Sequence, residues 1–447
     1  MTKRSSESTK PPVEKAFLVG VELFHETKLF SLEDSLAELA QLAETDGLEV
    51  VGETYQKLDR PHSSTYIGPG KIEEIKSIAG ELYATVVIFD FELSPRHQRE
   101  LEEAFGEGIK VIDRTALILD IFAQHAQTRE GILQVELAQN EYRLPRLTRA
   151  WTHLARQAGG GAGRTGSIGG VGLRGPGETQ LEVDKQEIRR HISILKKELE
   201  KVRDQRSLHR VQRKKANLPV VSIVGYTNAG KSTLLNQLSK ANVYVADQLF
   251  ATLDPTTRRV LLPGNHLVLF SDTVGFIQKL PTQLVAAFRA TLEEIKEADL
   301  LLHIVDITHP NALAQWKSVQ ETLKDIEADK LPVVTVLNKM DNLPDPHLAK
   351  QTLSAYPDAV VVSALTGEGI SDLLDRIETI LYEAHATIKV KIPYQNGQLI
   401  SIFHEYGHVT KITYSKDSVS IQGSIPSRLL NRFLPFMSTP QKKSIEE

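Results

Sequence analysis

Residues 221–239 read VSIVGYTNAGKSTLLNQLS. An apolar, β-branched run ends in a turn with two glycines and a lysine, and apolar residues then resume at helical spacing as Leu234, Leu235 and Leu238. The turn, Gly225-Tyr226-Thr227-Asn228-Ala229-Gly230-Lys231-Ser232, matches G-x-x-x-x-G-K-[ST] between a strand and a helix, the context that pattern requires. Glycines permit a tight loop whose N–H groups converge on phosphate oxygens, and the helix N-terminus adds favourable partial charge. Lys231 is expected to supply a point charge to the β- and γ-phosphates, and Ser232 a hydroxyl to Mg2+.

Three further strings follow in order. Asp272-Thr273-Val274-Gly275 closes the strand HLVLFSD, where a carboxylate can orient Mg2+ through water and the Gly275 N–H can sense a γ-phosphate. Asn338-Lys339-Met340-Asp341 follows PVVTVL. A carboxylate at Asp341 accepts the N1 and N2 protons of guanine, whereas adenine lacks that donor pair and would leave the charge buried and unpaired, so GTP is selected over ATP. Ser363-Ala364-Leu365, after the strand AVVV, is expected to close the far side of the base pocket. Between the Gly225–Ser232 loop and the Asp272 string lies FATLDPTTR, Phe250 to Arg258, with Ala251, Leu253 and Asp254 around a threonine. This polar, proline-broken segment is expected to be mobile, with one threonine completing the Mg2+ shell only when γ-phosphate is present. Spacing alone does not choose among Thr252, Thr256 and Thr257.

The chain has 447 residues, 41% hydrophobic and 25% charged, enough for about three domains each with its own core. It has no cysteine, which excludes a disulfide framework, a thiolate metal site and sulfur redox chemistry, and suits a reducing cytoplasm. Residues 1–15, MTKRSSESTKPPVEK, lack the apolar centre of a signal peptide and read as a disordered tail. No segment approaches the ~18 apolar residues of a membrane span. The total charge is −4, yet residues 143–215 hold 18 lysines and arginines against 7 aspartates and glutamates, a local +11 that leaves −15 for the rest. A basic block of this kind calls for a polyanionic partner.

Residues 16–129 alternate short apolar strands with helical segments, which predicts a parallel α/β domain. Within it YIGPGK, Tyr66 to Lys71, resembles a phosphate loop only superficially and reads as a helix start shaped by Pro69 and Gly70; a second nucleotide site here is left open. Residues 130–217 carry two helical seams, one through Leu133, Leu137, Leu144, Leu147, Trp151 and Leu154, the other through Leu181, Ile188, Ile192, Leu195, Leu199 and Val202. An antiparallel hairpin is expected, kinked at Pro145, with a glycine-rich tip over 158–177. Arg164 and Arg174 punctuate that tip and are candidate RNA-phosphate contacts. Residues 218–385 return to strand and helix alternation, a doubly wound P-loop sheet, and 386–447 read as a small α+β module without chemistry of its own.

These strings, with ATLDPTTR and the upstream GGVGLRGPGETQLE, resemble the HflX family of GTPases over nearly the whole chain. The resemblance implies an N-terminal α/β domain and helical hairpin ahead of a GTPase domain, binding to the large ribosomal subunit and its rRNA, and splitting of stalled 70S ribosomes under stress. It points to Thr252 as the Mg2+ ligand, and so to Lys231, Thr252 and Gly275 as the catalytic set. Asparagine at position 228 brings K+ into consideration beside Mg2+. A monomer in the cytoplasm is expected. The alternative is a regulatory GTPase working through protein or peripheral membrane partners, with the hairpin as a docking coiled coil.

Overall fold

The computed structural model describes residues 13–24, 29–106, 108–147, 176–215, 218–239, 249–250, 256–279, 295–343, 355–356, 358–382, 385–426 and 430–437. Residues 1–12 of the tail expected over 1–15 lie outside them, but Lys15 is not tail: it opens the first strand, opposite Glu49, because the apolar run that follows draws it into the sheet.

In the N-terminal domain β1 (Lys15–Leu23), β2 (Glu49–Leu58), β3 (Val86–Phe89) and β4 (Lys110–Asp113) form a parallel sheet in the order β2-β1-β3-β4. Both faces of the central strands β1 and β3 are covered, which is why they read as apolar runs, whereas the edge strand β2 alternates with polar residues. Ala16, Leu18, Val86 and Ile88 pack on α1 (Leu32–Thr45) and α4 (Arg114–His125). Phe17, Val19, Val87 and Phe89 pack on α2 (Pro69–Glu81) and α3 (Pro95–Phe105). The YIGPGK turn starts α2, with Gly68 as N-cap and Pro69 in the first turn, where a missing N–H costs nothing.

The hairpin pairs α5 (Arg129–Arg143) with α6 (Pro176–Lys215). Leu133 and Leu137 meet Leu195, and Glu130 reaches Arg206 at 2.8 Å while Glu136 reaches His191 at 2.8 Å, an antiparallel match. At Pro145 the regular helix is interrupted, and what directly follows Leu147 lies outside the described residues. The α-helix stops at Arg143 and residues Leu144–Arg146 make a 3-10 turn, because proline offers no N–H and its ring collides with the carbonyl four residues back. Trp151, Leu154 and the glycine-rich residues 158–175, with Arg164 and Arg174, lie outside the described residues.

The second α/β unit has strand order β10-β9-β8-β5-β7-β6, with β5 (Val220–Gly225), β6 (Thr256–Leu261), β7 (Leu267–Asp272), β8 (Leu300–Asp306), β9 (Val333–Asn338) and β10 (Ala359–Val361). All pairs are parallel except β6 with β7. Helices α7 (Lys231–Ser239) and α9 (Ile370–Tyr382) cover one face and α8 (Ala312–Asp325) the other, the doubly wound arrangement. Parallel strands of this kind bring their carboxyl ends to one rim.

The α8 face does not end at the domain. Tyr226, Phe250, Phe276 and Ile277 continue it into the α1 and α4 layer of the N-terminal domain, so one apolar core serves both. The C-terminal module is an antiparallel sheet in the order β11-β13-β12, from β11 (His385–Pro393), β12 (His408–Tyr414) and β13 (Ser418–Pro426). It closes over Phe403 of α10 (Gly397–Tyr406).

Candidate active site

Strand β5 delivers the chain into the loop at Gly225, whose φ is +153° and where a Cβ would stand 2.4 Å from the Ile304 oxygen. The loop passes left-handed conformations at Asn228 (φ +59°) and Gly230 (φ +92°) before α7 begins. Asparagine tolerates that region better than most residues, and glycine has no Cβ to object. Lys231, only 7% exposed, donates from Nζ to the Tyr226 carbonyl oxygen at 2.7 Å. Burial pulls its pKa down to about 8, with Asp272 opposing the fall.

Ser232 Oγ donates to Asp272 Oδ2 at 2.6 Å, uniting the first turn of α7 with the end of β7. A hydroxyl beside a carboxylate is an all-oxygen donor pair suited to Mg2+, which commonly takes few protein ligands and completes its shell with phosphate and water oxygens. Among the described residues no cluster of three or more His, Cys, Asp or Glu offers a separate metal cage. Gly275 lies against the loop, where a Cβ would come within 2.9 Å of Thr227 Cα and 3.0 Å of Lys231 Nζ. Thr273 turns inward, its hydroxyl donating to the Ile223 oxygen at 2.7 Å, and Val274 is half-buried. Beyond Gly275 the chain adds a strand-like bridge: Thr227 N donates to the Phe276 oxygen at 2.8 Å and Phe276 N to the Gly225 oxygen at 3.0 Å.

On the base side Asn338 Nδ2 donates to the Ala229 oxygen and its Oδ1 accepts from Ala364 N, both at 2.9 Å. Lys339 adopts φ +67° and sends Nζ to Asp306 Oδ2 at 2.8 Å. Met340 opens a 3-10 turn that carries Asp341, whose Oδ1 accepts from Ser363 Oγ at 2.6 Å. Leu365 is 74% exposed. The strings Gly225–Ser232, Asp272–Gly275, Asn338–Asp341 and Ser363–Leu365 thus meet on the carboxyl rim of β5, β7, β9 and β10.

Two expectations change. Thr256 and Thr257 are not loop hydroxyls but paired residues of β6, opposite Asp272 and Ser271, because Arg258 to Leu261 continue an edge strand along β7. Phe250 does not face the nucleotide strings. Its ring is 2% exposed and packs edge-on against Phe122 of α4, centroids 4.6 Å apart, because an apolar ring gains more in the shared core than at a phosphate site. Ala251, Thr252, Leu253 and Asp254 lie outside the described residues. Tyr226, expected from the sequence only as part of the phosphate loop, also reaches out of it, its hydroxyl donating to Glu38 Oε1 at 2.6 Å. A large amphipathic ring at a variable loop position is the signal that was available.

Family models match in sequence: a GTP-binding GTPase N-terminal region at 33–123, a GTP-binding GTPase middle region at 125–213, a 50S ribosome-binding GTPase at 220–339 and an HflX C-terminal domain at 349–429. GTPase HflX of Caldanaerobacter subterraneus is 42% identical over 405 residues, 91% of this chain and 90% of that one. This chain belongs to the HflX family of GTPases. GTPase HflX of Escherichia coli is 43% identical over 396 residues, 88% and 90% of the two chains. A GTP-binding protein of the archaeon Sulfolobus solfataricus, solved in complex with GDP, covers 83% of this chain and 99% of its own at 25% identity and a TM-score of 0.41. As an HflX-family GTPase, the chain binds GTP and hydrolyses it. No helix among its described residues is long and apolar enough to cross a membrane.

Proposed function

We propose that this GTPase binds the large ribosomal subunit through its hairpin and separates stalled 70S ribosomes in the cytoplasm under stress, under the control of GTP. The observation that carries the reading is a stripe on α6. Arg190, Lys197 and Lys201 are exposed, recur at seven- and four-residue steps, and at about 100° per residue fall within one band of roughly 40°. That band is opposite Leu195 and Leu199, which pack on α5. Other basic residues of α6 are bound by α5: Lys196 by Glu141 at 2.8 Å and Arg206 by Glu130 at 2.8 Å. The three outward cations have no ion-pair partner among the described residues, and they belong to the block of net +11. Cations aligned along a rigid helix suit an RNA backbone, and the family model for residues 220–339 is described as a 50S ribosome-binding GTPase.

In this reading Gly225 to Ser232 cradle the phosphates, with Lys231 on the β- and γ-oxygens. Ser232, joined by Thr252, would hold Mg2+, with Asp272 orienting the water of its shell, and the ion would supply positive charge to the phosphates. Gly275 N–H reads the γ-phosphate, and Asn338 and Asp341, backed by Ser363 to Leu365, hold guanine. The test is co-sedimentation of the full chain with 50S subunits across a salt series. Tight, steeply salt-dependent binding with a non-hydrolysable GTP analogue and weaker binding with GDP are expected. Binding indifferent to both nucleotide and salt would sink the proposal.

A further inference from the structure

The Tyr226 hydroxyl donates to Glu38 Oε1 at 2.6 Å and accepts the N–H of Gln278 at 2.9 Å. Glu38 Oε2 accepts from Arg114, and Arg114 donates through its other terminal nitrogen to Asp90 Oδ1 at 2.7 Å. Asp90 in turn accepts from Lys279 Nζ, at its carboxylate and, at 2.7 Å, at its main-chain oxygen. The path therefore starts at Gln278 and ends at Lys279. It is a closed ring of hydrogen bonds that leaves the nucleotide domain at the phosphate loop, crosses α1, α4 and the end of β3, and returns to the segment just after Gly275. Arg114 and Asp90 are each 1% exposed and Tyr226 is 4% exposed.

Buried ions are costly to retain for stability alone, since apolar replacements of like shape often serve as well. What this ring adds is geometry. It contains two carboxylates and two cations, so its charge balances only while every member stays in place. Its N-terminal half is itself rigidly joined to the hairpin: Asp113, at the end of β4, accepts from Tyr142 Oη of α5 at 2.9 Å and from Leu93 N at 2.9 Å, and Arg146 lies 3.6 Å over the Tyr142 ring. Phe250, at the other segment flanking the phosphate loop, presses on Phe122 of the same α4.

We infer that the ring is a nucleotide-sensitive latch in which Tyr226 and Lys279 are positioning residues, so that engagement of a γ-phosphate by Gly275 and docking of the N-terminal domain in this arrangement oppose each other. Phe276, next to Gly275, is hydrogen-bonded to the phosphate loop at both N and O, and Gln278 and Lys279 follow two and three residues later, so a shift of Gly275 toward a phosphate pulls on the segment that the ring ties to the N-terminal domain. GDP makes no such demand. Coupling between two equilibria is reciprocal, so loosening the ring favours GTP over GDP, and GTP favours release of the N-terminal domain and the hairpin it carries. This deepens the proposed function by supplying its route from nucleotide to hairpin, and it rests on the nucleotide part of that reading alone.

The test uses the full chain without ribosomes, so its outcome is separate from whether the large subunit is bound. Affinities for GDP and for a non-hydrolysable GTP analogue are measured for the wild type, Tyr226→Phe and Lys279→Met. The analogue-to-GDP preference should rise on the order of fivefold in each variant, the scale of one buried hydrogen bond. Since the chain has no cysteine, Tyr83→Cys and Leu313→Cys at exposed sites of the two domains accept spin labels without background. The interdomain distance should change between GDP and the analogue, and in Tyr226→Phe it should take the analogue-like value with either nucleotide. A purely structural ring would lower thermal stability and leave the preference untouched. Folded variants with a preference within twofold of wild type, or a wild-type distance unaffected by nucleotide, overturn the latch; if Tyr226→Phe does not fold, Lys279→Met decides.

Discussion

The side-chain Nδ2 of Asn338 lies 2.9 Å from the main-chain oxygen of Ala229, so the strand that begins the base-reading motif also holds the phosphate loop in shape. The contact leaves no room beside it: a Cβ at Gly230 would stand 2.3 Å from that Nδ2, on a backbone at φ +92°. Gly230→Ala should cost about 2–3 kcal/mol in stability from strain alone and abolish nucleotide binding. Asn338→Ala should cost a similar amount, about 2–4 kcal/mol, by orphaning Ala229 O and Ala364 N. Urea unfolding followed by tryptophan fluorescence checks both; a loss below half a kcal/mol in either would contradict the contact.

Asp341 is placed to read the base, and Ser363 Oγ fixes its carboxylate at 2.6 Å. Asp341→Asn should lower GTP affinity at least tenfold and raise affinity for xanthosine nucleotides, whose ring offers the complementary acceptor. Removing Lys231 or Ser232 should weaken phosphate and Mg2+ binding without changing base preference. Titrations with fluorescent guanosine and xanthosine diphosphates separate the two classes; unchanged GTP binding in Asp341→Asn would remove this residue from the site.

Phe276 follows Gly275 at a position where a glutamine could orient water. It is 4% exposed and bridged to the phosphate loop, and its ring cannot hydrogen-bond an attacking water. Single-turnover hydrolysis by the free chain is therefore expected to be slow, with an acceleration of at least tenfold on ribosomal subunits. Asn228 sits exposed at φ +59° in the loop, and the rate is expected to be higher in K+ than in Na+. Equal free and subunit-stimulated rates would contradict the first expectation, and equal rates in the two salts the second.

His303 lies at the centre of β8, beside Gln320 Nε2 at 3.1 Å and stacked parallel to Trp316 at 6.2 Å. Burial, reinforced by the charge of Lys231, pulls its pKa down to about 3. From about pH 6.5, the usual unfolded value, down to about 3, the unfolded chain binds a proton that the folded chain refuses, so stability falls as pH falls. At pH 5 the loss is about 2 kcal/mol relative to pH 7. His303→Gln should show a pH 7 to pH 5 loss smaller by that amount in urea unfolding followed by circular dichroism; an identical loss would place the acid sensitivity elsewhere.

Arg164 and Arg174 belong to no nucleotide motif. Substituting both with glutamine should impair 70S separation at least fivefold in light-scattering assays while leaving GTP affinity within twofold, since each lost phosphate contact also reduces the salt dependence of binding. Normal splitting by the double variant would make the glycine-rich interval a linker.

Residues close in sequence were enough to determine the nucleotide strings and the elements that bear them. Gly225, Lys231 and Ser232 lie within one strand-turn-helix, and the alternation of Phe17 and Val19 with Ala16 and Leu18 already describes a strand buried on both faces. Their physics is local: backbone dihedrals, helix starts and apolar period. Tertiary structure alone decided that Tyr226 meets Glu38, that Phe250 turns from the nucleotide strings to Phe122, and that Thr257 pairs in β6. These outcomes depend on which face of the second sheet docks on the α1 and α4 layer. That docking is set by the summed burial of a core spanning both domains, to which no short stretch of the chain contributes a readable pattern. Glu38, Asp90 and Arg114 are single charged residues in three separate elements, and each reads as solvated until the fold removes the water around it.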